Sequence, residues 1–258
     1  MTKPSTPYEA YKFIDAKGHA FNDEILVEAP IQININDQAF TVVMATPGSE
    51  LELAVGLLYA EDIIKNNQDY KHHLQVNDLG QISCNFQIKP ENLGSGYKNK
   101  RSLLSLSSCG ICGRQDLSDL MQEKIEKLNK STLEIKQIPS LFETFENHQK
   151  LFKTTGGSHA AALFDGCGEL LIIKEDIGRH NAVDKCIGSL LIQGKLNEAQ
   201  IMLVSGRVSY EIITKAFRGK IPNVLSVSAC SSLAIDMAKE FGINLIGFNR
   251  GNRATRYS

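Results

Sequence analysis

From residue 153 to residue 248, short apolar runs alternate with helical patterns, and this alternation constrains the fold more than any other feature of the chain. Strands are expected at 159–164, 169–175, 200–205, 223–228 and 244–248, with helices at 178–192, 208–218 and 231–241. Such an order predicts an α/β domain, a mostly parallel sheet with helices covering it. The residues before it follow another rhythm. Ile31, Ile33 and Ile35 alternate with Gln32, Asn34 and Asn36, and Asn36-Asp37 is a turn signal, so a hairpin is expected over 25–35 and 38–45. Thr46-Pro47-Gly48-Ser49 breaks the second strand, and Ser49 with Glu52 fits a capping box. Leu53, Ala54, Leu57 and Leu58 recur at helical spacing, which predicts a helix over about 50–64. Two more strands, near 72–77 and 81–88, complete an α+β unit of ββαββ order. Residues 1–22 are polar and are expected to be loosely ordered, while apolar stripes predict a helix at 115–129 and a short one at 141–148. The division into domains is therefore placed at 1–138 and 139–258.

Composition removes several classes of function. The formal net charge is −1, without the basic excess that a nucleic-acid footprint requires. No apolar run approaches the length of a bilayer span, and Met1 to Tyr11 lacks the apolar core of a signal peptide. A cytoplasmic protein is expected, with neither membrane nor nucleic acid as partner. The six cysteines, at 84, 109, 112, 167, 186 and 230, then sit in a reducing compartment, where a disulfide framework is not expected. Cys84, Cys167 and Cys186 lie in apolar patterns that predict core positions, whereas Cys230 falls in a loop and stays open.

Ligands of open parallel sheets bind beyond the carboxyl ends of the strands. Those ends here carry Glu175-Asp176-Ile177-Gly178-Arg179-His180-Asn181, then Ser205-Gly206-Arg207-Val208-Ser209, then Ser228-Ala229-Cys230-Ser231, and finally Gly247-Phe248-Asn249-Arg250-Gly251-Asn252-Arg253. Hydroxyls, glycines and arginines at helix starts suit an anion, through free N–H groups, the helix dipole and bidentate guanidinium contacts. A phosphorylated or nucleotide-like ligand is expected, although any one of these loops alone reads equally as a helix cap with a solvated arginine. His180 and Asp184 are spaced to share a helix face, and a histidine paired within its own helix is the alternative to a ligand contact. Gly156-Gly157-Ser158-His159 reads as a plain turn or as a close backbone approach to a ligand. No dinucleotide fingerprint and no P-loop is present.

Cys109-Gly110-Ile111-Cys112 is the sharpest local motif, and four readings compete for it. Zinc normally takes four ligands, often from two such pairs, and no second pair exists. A dithiol–disulfide couple fits the spacing but lacks a thioredoxin-like context. A nucleophilic, persulfide-carrying thiol fits because Arg114 and a helix starting after Gly113 would lower its pKa. The fourth reading is two cysteines in a turn.

At this point the chain resembles the formate dehydrogenase accessory sulfurtransferases (FdhD). The resemblance rests on Asn36, Met44-Ala45-Thr46-Pro47, Ser108 to Gly113, Thr155 to Ala160, Glu175 to Lys185, Ser205 to Glu211 and Gly247 to Arg250, in order from about residue 25 to the C-terminus. It implies a cytidine-deaminase-like, three-layer fold for the second half, without deaminase activity, because the zinc signature of those enzymes is missing there. It implies a sulfur carrier that takes persulfide sulfur from a cysteine desulfurase. The sulfur passes to the molybdenum (or tungsten) bis-molybdopterin guanine dinucleotide cofactor of formate dehydrogenase. The persulfide cysteine of the family maps onto Cys109, with Cys112 as its partner, and its cofactor-binding stretch onto Phe248, Asn249, Arg250, Gly251, Asn252 and Arg253. His159, Arg179, His180 and Arg207 are the further candidate cofactor contacts at the anion edge. No structural metal is expected, and a homodimer is compatible with such a carrier. The alternative is a cofactor-binding chaperone in which the thiols merely grip the metal or shape a lid. The chain departs from the family pattern at Glu61-Asp62, at Cys230-Ser231 and after Arg253.

Overall fold

The computed structural model describes residues 3–78, 80–98, 126–128, 133–250 and 253–258. Strands β3 (Ala29–Ile35), β4 (Gln38–Ala45), β5 (Tyr70–Val76) and β6 (Ile82–Ile88) form a sheet in the order β4-β3-β6-β5. Helix α1 (Glu50–Ala60) covers one face of it. Period-2 alternation produces that face: Ile31, Ile33 and Ile35 are all buried against Leu53, Ala54 and Leu58, while Gln32 and Asn34 turn outward into side-chain hydrogen bonds. The ββαββ expectation is met, with α1 ending at Ala60. Its cap is not the expected box. Ser49 adopts φ 113°, and the Glu50 carboxylate accepts from the Gly48 and Ser49 N–H groups instead. Ser49 Oγ is used elsewhere, as acceptor for Lys174 Nζ at 2.8 Å.

The N-terminal residues correct a second expectation. Rather than being loosely ordered, they form a hairpin of β1 (Ser5–Ile14) and β2 (Lys17–Leu26), in continuous antiparallel register from Ser5↔Leu26 to Ile14↔Lys17. Its composition misleads because few of its side chains are buried: Tyr8, Tyr11 and Phe13 all stand exposed. The hairpin is held by its ladder rather than by a core.

Helix α2 (Ser95–Lys98) closes the smaller unit, where Gly94 N and Gly96 N donate to Ile63 O and Asp62 O, and α3 (Ile138–His148) and α4 (Lys150–Thr155) lead the chain to the large sheet. That sheet contains β7 (His159–Phe164), β8 (Leu170–Asp176), β9 (Ile201–Val204), β10 (Asn223–Ser226), β11 (Asn244–Arg250) and β12 (Arg253–Arg256), in the order β12-β11-β10-β9-β7-β8. It is mixed rather than mostly parallel. β9, β10 and β11 pair in parallel, while β7 is antiparallel to both β8 and β9, and β12 is antiparallel to β11. The β7–β8 link of residues 165–169 is too short for a crossover, so only a hairpin is open to it. β12 follows β11 as an antiparallel edge strand.

Helices α5 (Arg179–Ile192), α6 (Tyr210–Arg218) and α7 (Ser232–Phe241) bury one face of this sheet, through Ala182, Cys186, Ile213, Ala216, Ala238 and Phe241 against Ala161, Leu163, Met202, Val204, Val224 and Leu245. On the other face, Leu141, Phe142 and Phe145 of α3 pack on Ala160, Ala162, Phe164, Leu203 and Leu225. The result is three layers. The expected helix at 115–129 lies outside the described residues except at its end, where 126–128 are not helical and Leu128 N donates to Phe241 O.

The two sheets meet through α1 and α5, whose backbones touch. A Cβ on Gly188 would stand 1.9 Å from the Glu52 carbonyl oxygen, and one on Gly56 would stand 2.0 Å from that of Asp184. Neither obstacle is a side chain that can rotate away, so the helices would have to separate. Gly188→Ala is expected to lower stability by about 3 kcal/mol, with lost burial on both sides of the joint. Chemical denaturation checks this, and a change below about 1 kcal/mol would contradict the packing.

Candidate functional site

The carboxyl ends of β8, β9, β10 and β11, together with the start of β7, share one edge of the large sheet. His159 reaches it because β7 runs against β9. Gly206 follows β9, and a Cβ there would lie 3.2 Å from His159 Nδ1 and 3.3 Å from Arg179 Cβ and Cδ. His159, Arg179 and Gly206 are therefore in contact, with His180 and Arg207 close enough to act on the His159 imidazole. Burial first, then the positive charge of Arg179, holds that imidazole below the ordinary histidine value.

Most of the polar groups here are already spoken for. Ser205 Oγ accepts from Ala160 N, Ser226 Oγ donates to Gly206 O, and Ser231 Oγ caps α7 by accepting from Ala234 N. The N–H of Gly178, at the start of α5, goes to Asp176 Oδ1. Five buried atoms at this edge have no hydrogen-bond partner among the described residues: Arg179 Nε, His180 Nδ1 and Nε2, Ser209 Oγ and Asn249 Oδ1. Native interiors rarely leave such atoms unpaired, and each one costs of order 1–3 kcal/mol. Asn249 is itself fixed, because its Nδ2 donates to Ser226 O and Ile246 O. Beside it, Phe248 adopts φ 52°, in the left-handed region, and exposes 43% of its surface. A strained, exposed aromatic next to unpaired donors and acceptors is a stacking surface for a planar ligand.

The 175–185 block proves to be largely scaffold. Asp176 is fully buried and accepts from Thr46 N, Gly178 N and Asn181 Nδ2, while Lys185 Nζ stands 2.6 Å from it and donates to Thr46 O. Asn181 Nδ2 also donates to Met44 O. Glu175 accepts from the Leu151 and Phe152 N–H groups and from Ser158 Oγ, which ties the start of α4 to β8. Gly156 ends α4 at φ 67°, so the Gly-Gly run is a helix-ending turn. His180 and Asp184 do not pair within their helix. Both meet α6, at Glu211 and Lys215 respectively. Glu211 was not among the expected site residues, although its i,i+4 spacing to Lys215 was a visible signal.

Arg207 is exposed on the β9–α6 loop, and Arg253 is exposed on β12. Arg256, three residues further on, is turned to the far end of β11, where its Nη2 donates to Asn244 Oδ1. The expected contacts at Cys109, Cys112, Gly251 and Asn252 lie outside the described residues, as does the side chain of Arg250. The four described cysteines carry no activated thiol at the edge. Burial pushes Cys84 and Cys186 up to about 12 and Cys230 to about 11. Cys167, expected in the core, is instead exposed in the β7–β8 turn at the opposite end of the strands. Among the described residues no histidine, cysteine and carboxylate cluster could hold a metal ion, and no helix is long and apolar enough to cross a membrane.

Together these features define a three-layer α/β protein, with arginine, histidine and unpaired polar atoms gathered at one sheet edge, joined to a smaller α+β unit. The model of the FdhD/NarQ family matches residues 26–258. The chain is 41% identical to the sulfur carrier protein FdhD of Sulfolobus acidocaldarius over 92% of its length and 89% of that protein. It is 38% identical to the protein of the same name from Saccharolobus solfataricus, over 97% of this chain and 95% of the relative. A crystal structure from Desulfotalea psychrophila, described as that of a formate dehydrogenase accessory protein, has a TM-score of 0.76 at 23% identity, covering 98% of this chain and 96% of that one. That likeness concerns the fold. The chain belongs to the FdhD/NarQ family.

Two measurements test the scaffold and the edge. Lys185→Met leaves Asp176 buried without its counter-ion and is expected to cost about 3–5 kcal/mol, read from urea denaturation. For His159, the folded pKa lies below the unfolded one, so the unfolded chain binds protons first as pH falls below 6.5, and stability drops until the folded pKa is reached. His159→Gln removes this term, so its melting temperature should fall less steeply on acidification than that of the wild type. Parallel curves would refute the assignment.

Proposed function

We propose that the chain is a sulfur carrier for formate dehydrogenase. In this reading Cys109 receives persulfide sulfur from a cysteine desulfurase, and the receptive sheet edge holds the bis-molybdopterin guanine dinucleotide of molybdenum as substrate. The observation that carries the reading is the set of buried, unpartnered atoms on Arg179, His180, Ser209 and Asn249, gathered at one edge with Arg207 and His159. Guanidinium and imidazole groups suit a diphosphate, and the exposed ring of Phe248 suits a guanine face. Arg250, Gly251, Asn252 and Arg253 complete the proposed cofactor stretch. The second half is read as a cytidine-deaminase-like arrangement, and the setting as the reducing cytoplasm, where thiols stay free.

The chemistry balances with the two motif cysteines. The Cys109 thiolate attacks the outer sulfur of the donor persulfide, the donor S–S bond breaks, and its electron pair leaves on the donor thiolate. The product is a persulfide on Cys109. The Cys112 thiolate then attacks the Cys109 Sγ, forming a disulfide and expelling hydrosulfide for the metal, and a dithiol reductant later restores both thiols. The raised pKa values of Cys84, Cys186 and Cys230 support this division of labour, since a neutral thiol is a poor nucleophile. Incubation with a cysteine desulfurase and cysteine is expected to add the mass of one sulfur atom to the wild-type chain and none to Cys109→Ala. Intact-mass spectrometry reads this directly, and equal adduct yields would overturn the assignment of Cys109. A Cys109→Ala chain that still supports full formate dehydrogenase activity would overturn the sulfur-carrier reading as a whole.

A further inference from the structure

Helices α5 and α6 carry a line of buried charge that the reading above does not use. Lys215 Nζ donates to both oxygens of Asp184, at 2.8 and 2.9 Å, and stands 3.4 Å from Glu211 Oε1. The other oxygen of Glu211, Oε2, is 3.0 Å from His180 Nδ1, at ion-pair distance rather than in an aligned hydrogen bond. Asp184 and Lys215 are 2% and 3% exposed, and His180 is 8% exposed. Two carboxyl groups share one ammonium, and burial pushes the Asp184 carboxyl up to about 7, so the lasting negative charge of the line is that of Glu211, next to the imidazole. Glu211 is held below the usual carboxylate range, against its burial, by its bonds and charge contacts with His180 and Lys215. On its other side, His180 Nε2 is buried and has no partner among the described residues.

A carboxylate on one imidazole nitrogen fixes the tautomer and stabilises a proton on the ring, leaving the second nitrogen to meet a ligand. From β7, His159 interacts with this imidazole, and Arg179, Arg207 and Asp176, the last already paired with Lys185, act on His159 in turn. Glu61, just past α1, adds a more distant negative charge to the Asp184–Lys215 pair.

We propose that Glu211 is a positioning residue, which holds His180 through Nδ1 so that a protonated Nε2 donates to the diphosphate of the bound cargo. This rests on the nucleotide reading of the edge and adds a dependence that the reading alone does not contain. Binding then depends on the ring proton and on Glu211 together.

The probe is diguanosine diphosphate, whose bridged diphosphate gains no proton between about pH 5.5 and 8, so that only the protein titrates. Calorimetry on the full chain is expected to show affinity falling about tenfold across that range, the effect of losing one charge-assisted hydrogen bond. His180→Gln puts a non-titrating amide near the Nε2 position and is expected to bind with a flat profile. Glu211→Gln is expected to weaken binding most at the acid end of the range and so to flatten the profile. A loss of affinity equal at every pH would mark Glu211 as merely structural and overturn the proposal. If Glu211→Gln fails to fold, the His180→Gln profile decides: a slope identical to wild type overturns the proposal, and a flat one upholds it. A wild type that does not bind the probe at any pH overturns the nucleotide reading itself, and this inference with it.

Discussion

The structure turns on a single buried ion pair. Asp176 and Lys185 lie at the junction of the two sheets, where neither charge meets water. Such a pair is tolerated only if its remaining bonding capacity is filled, and here the filling comes from far along the chain. Thr46 offers its N–H to Asp176 and its carbonyl to Lys185, and its hydroxyl accepts from Ile177 N. The end of β4 is thereby bolted to the start of α5. The strand-breaking Thr46-Pro47 step of the smaller sheet and the acidic block of the larger one form one polar joint, with the touching backbones of α1 and α5 beside it.

That joint explains why the receptive edge can exist. Unpaired polar atoms in an interior favour rearrangement or water entry unless their surroundings are held rigidly. Gly178 and Asn181 are both tied to Asp176, so the first turn of α5 cannot shift to satisfy Arg179 and His180 internally. Ser205 and Ser226 are likewise committed to Ala160 and Gly206. Among the described residues, the edge thus keeps fixed polar atoms without hydrogen-bond partners. The thiols of Cys186 and Cys230 are kept neutral by burial.

Where sequence reading succeeded, the reason was local. The alternation of Ile31, Ile33 and Ile35, the helical stripe of 50–60 and the βα succession after residue 159 each reflect short-range periodicity, and each element was found within a few residues. The errors have a shared cause as well. The hairpin of residues 5–26 buries too little to leave an apolar pattern, and β12 is absent from the expected strands because its pairing with β11 exists only in space. Cys167 sat in an apparently apolar stretch that is in fact a tight turn. The parallel sheet became mixed because helix–strand alternation says nothing about the direction of β7, which enters without a crossover.

The amino-acid sequence by itself determined most of the strand and helix succession, the family to which the chain belongs, the concentration of arginine, serine and glycine at strand ends, and the spacing of Cys109 and Cys112. These are matters of composition and spacing, which near neighbours in the chain decide. Only the tertiary structure decided which of those side chains are free to act. Asp176 and Glu175 are consumed by packing and Arg256 is turned to the far end of β11, while Arg179, Ser209 and Asn249 keep buried valences open and Glu211 reaches His180 from another helix. Hydrogen-bond satisfaction is a property of three-dimensional neighbours, and those neighbours here come from positions as far apart as Thr46 and Asp176.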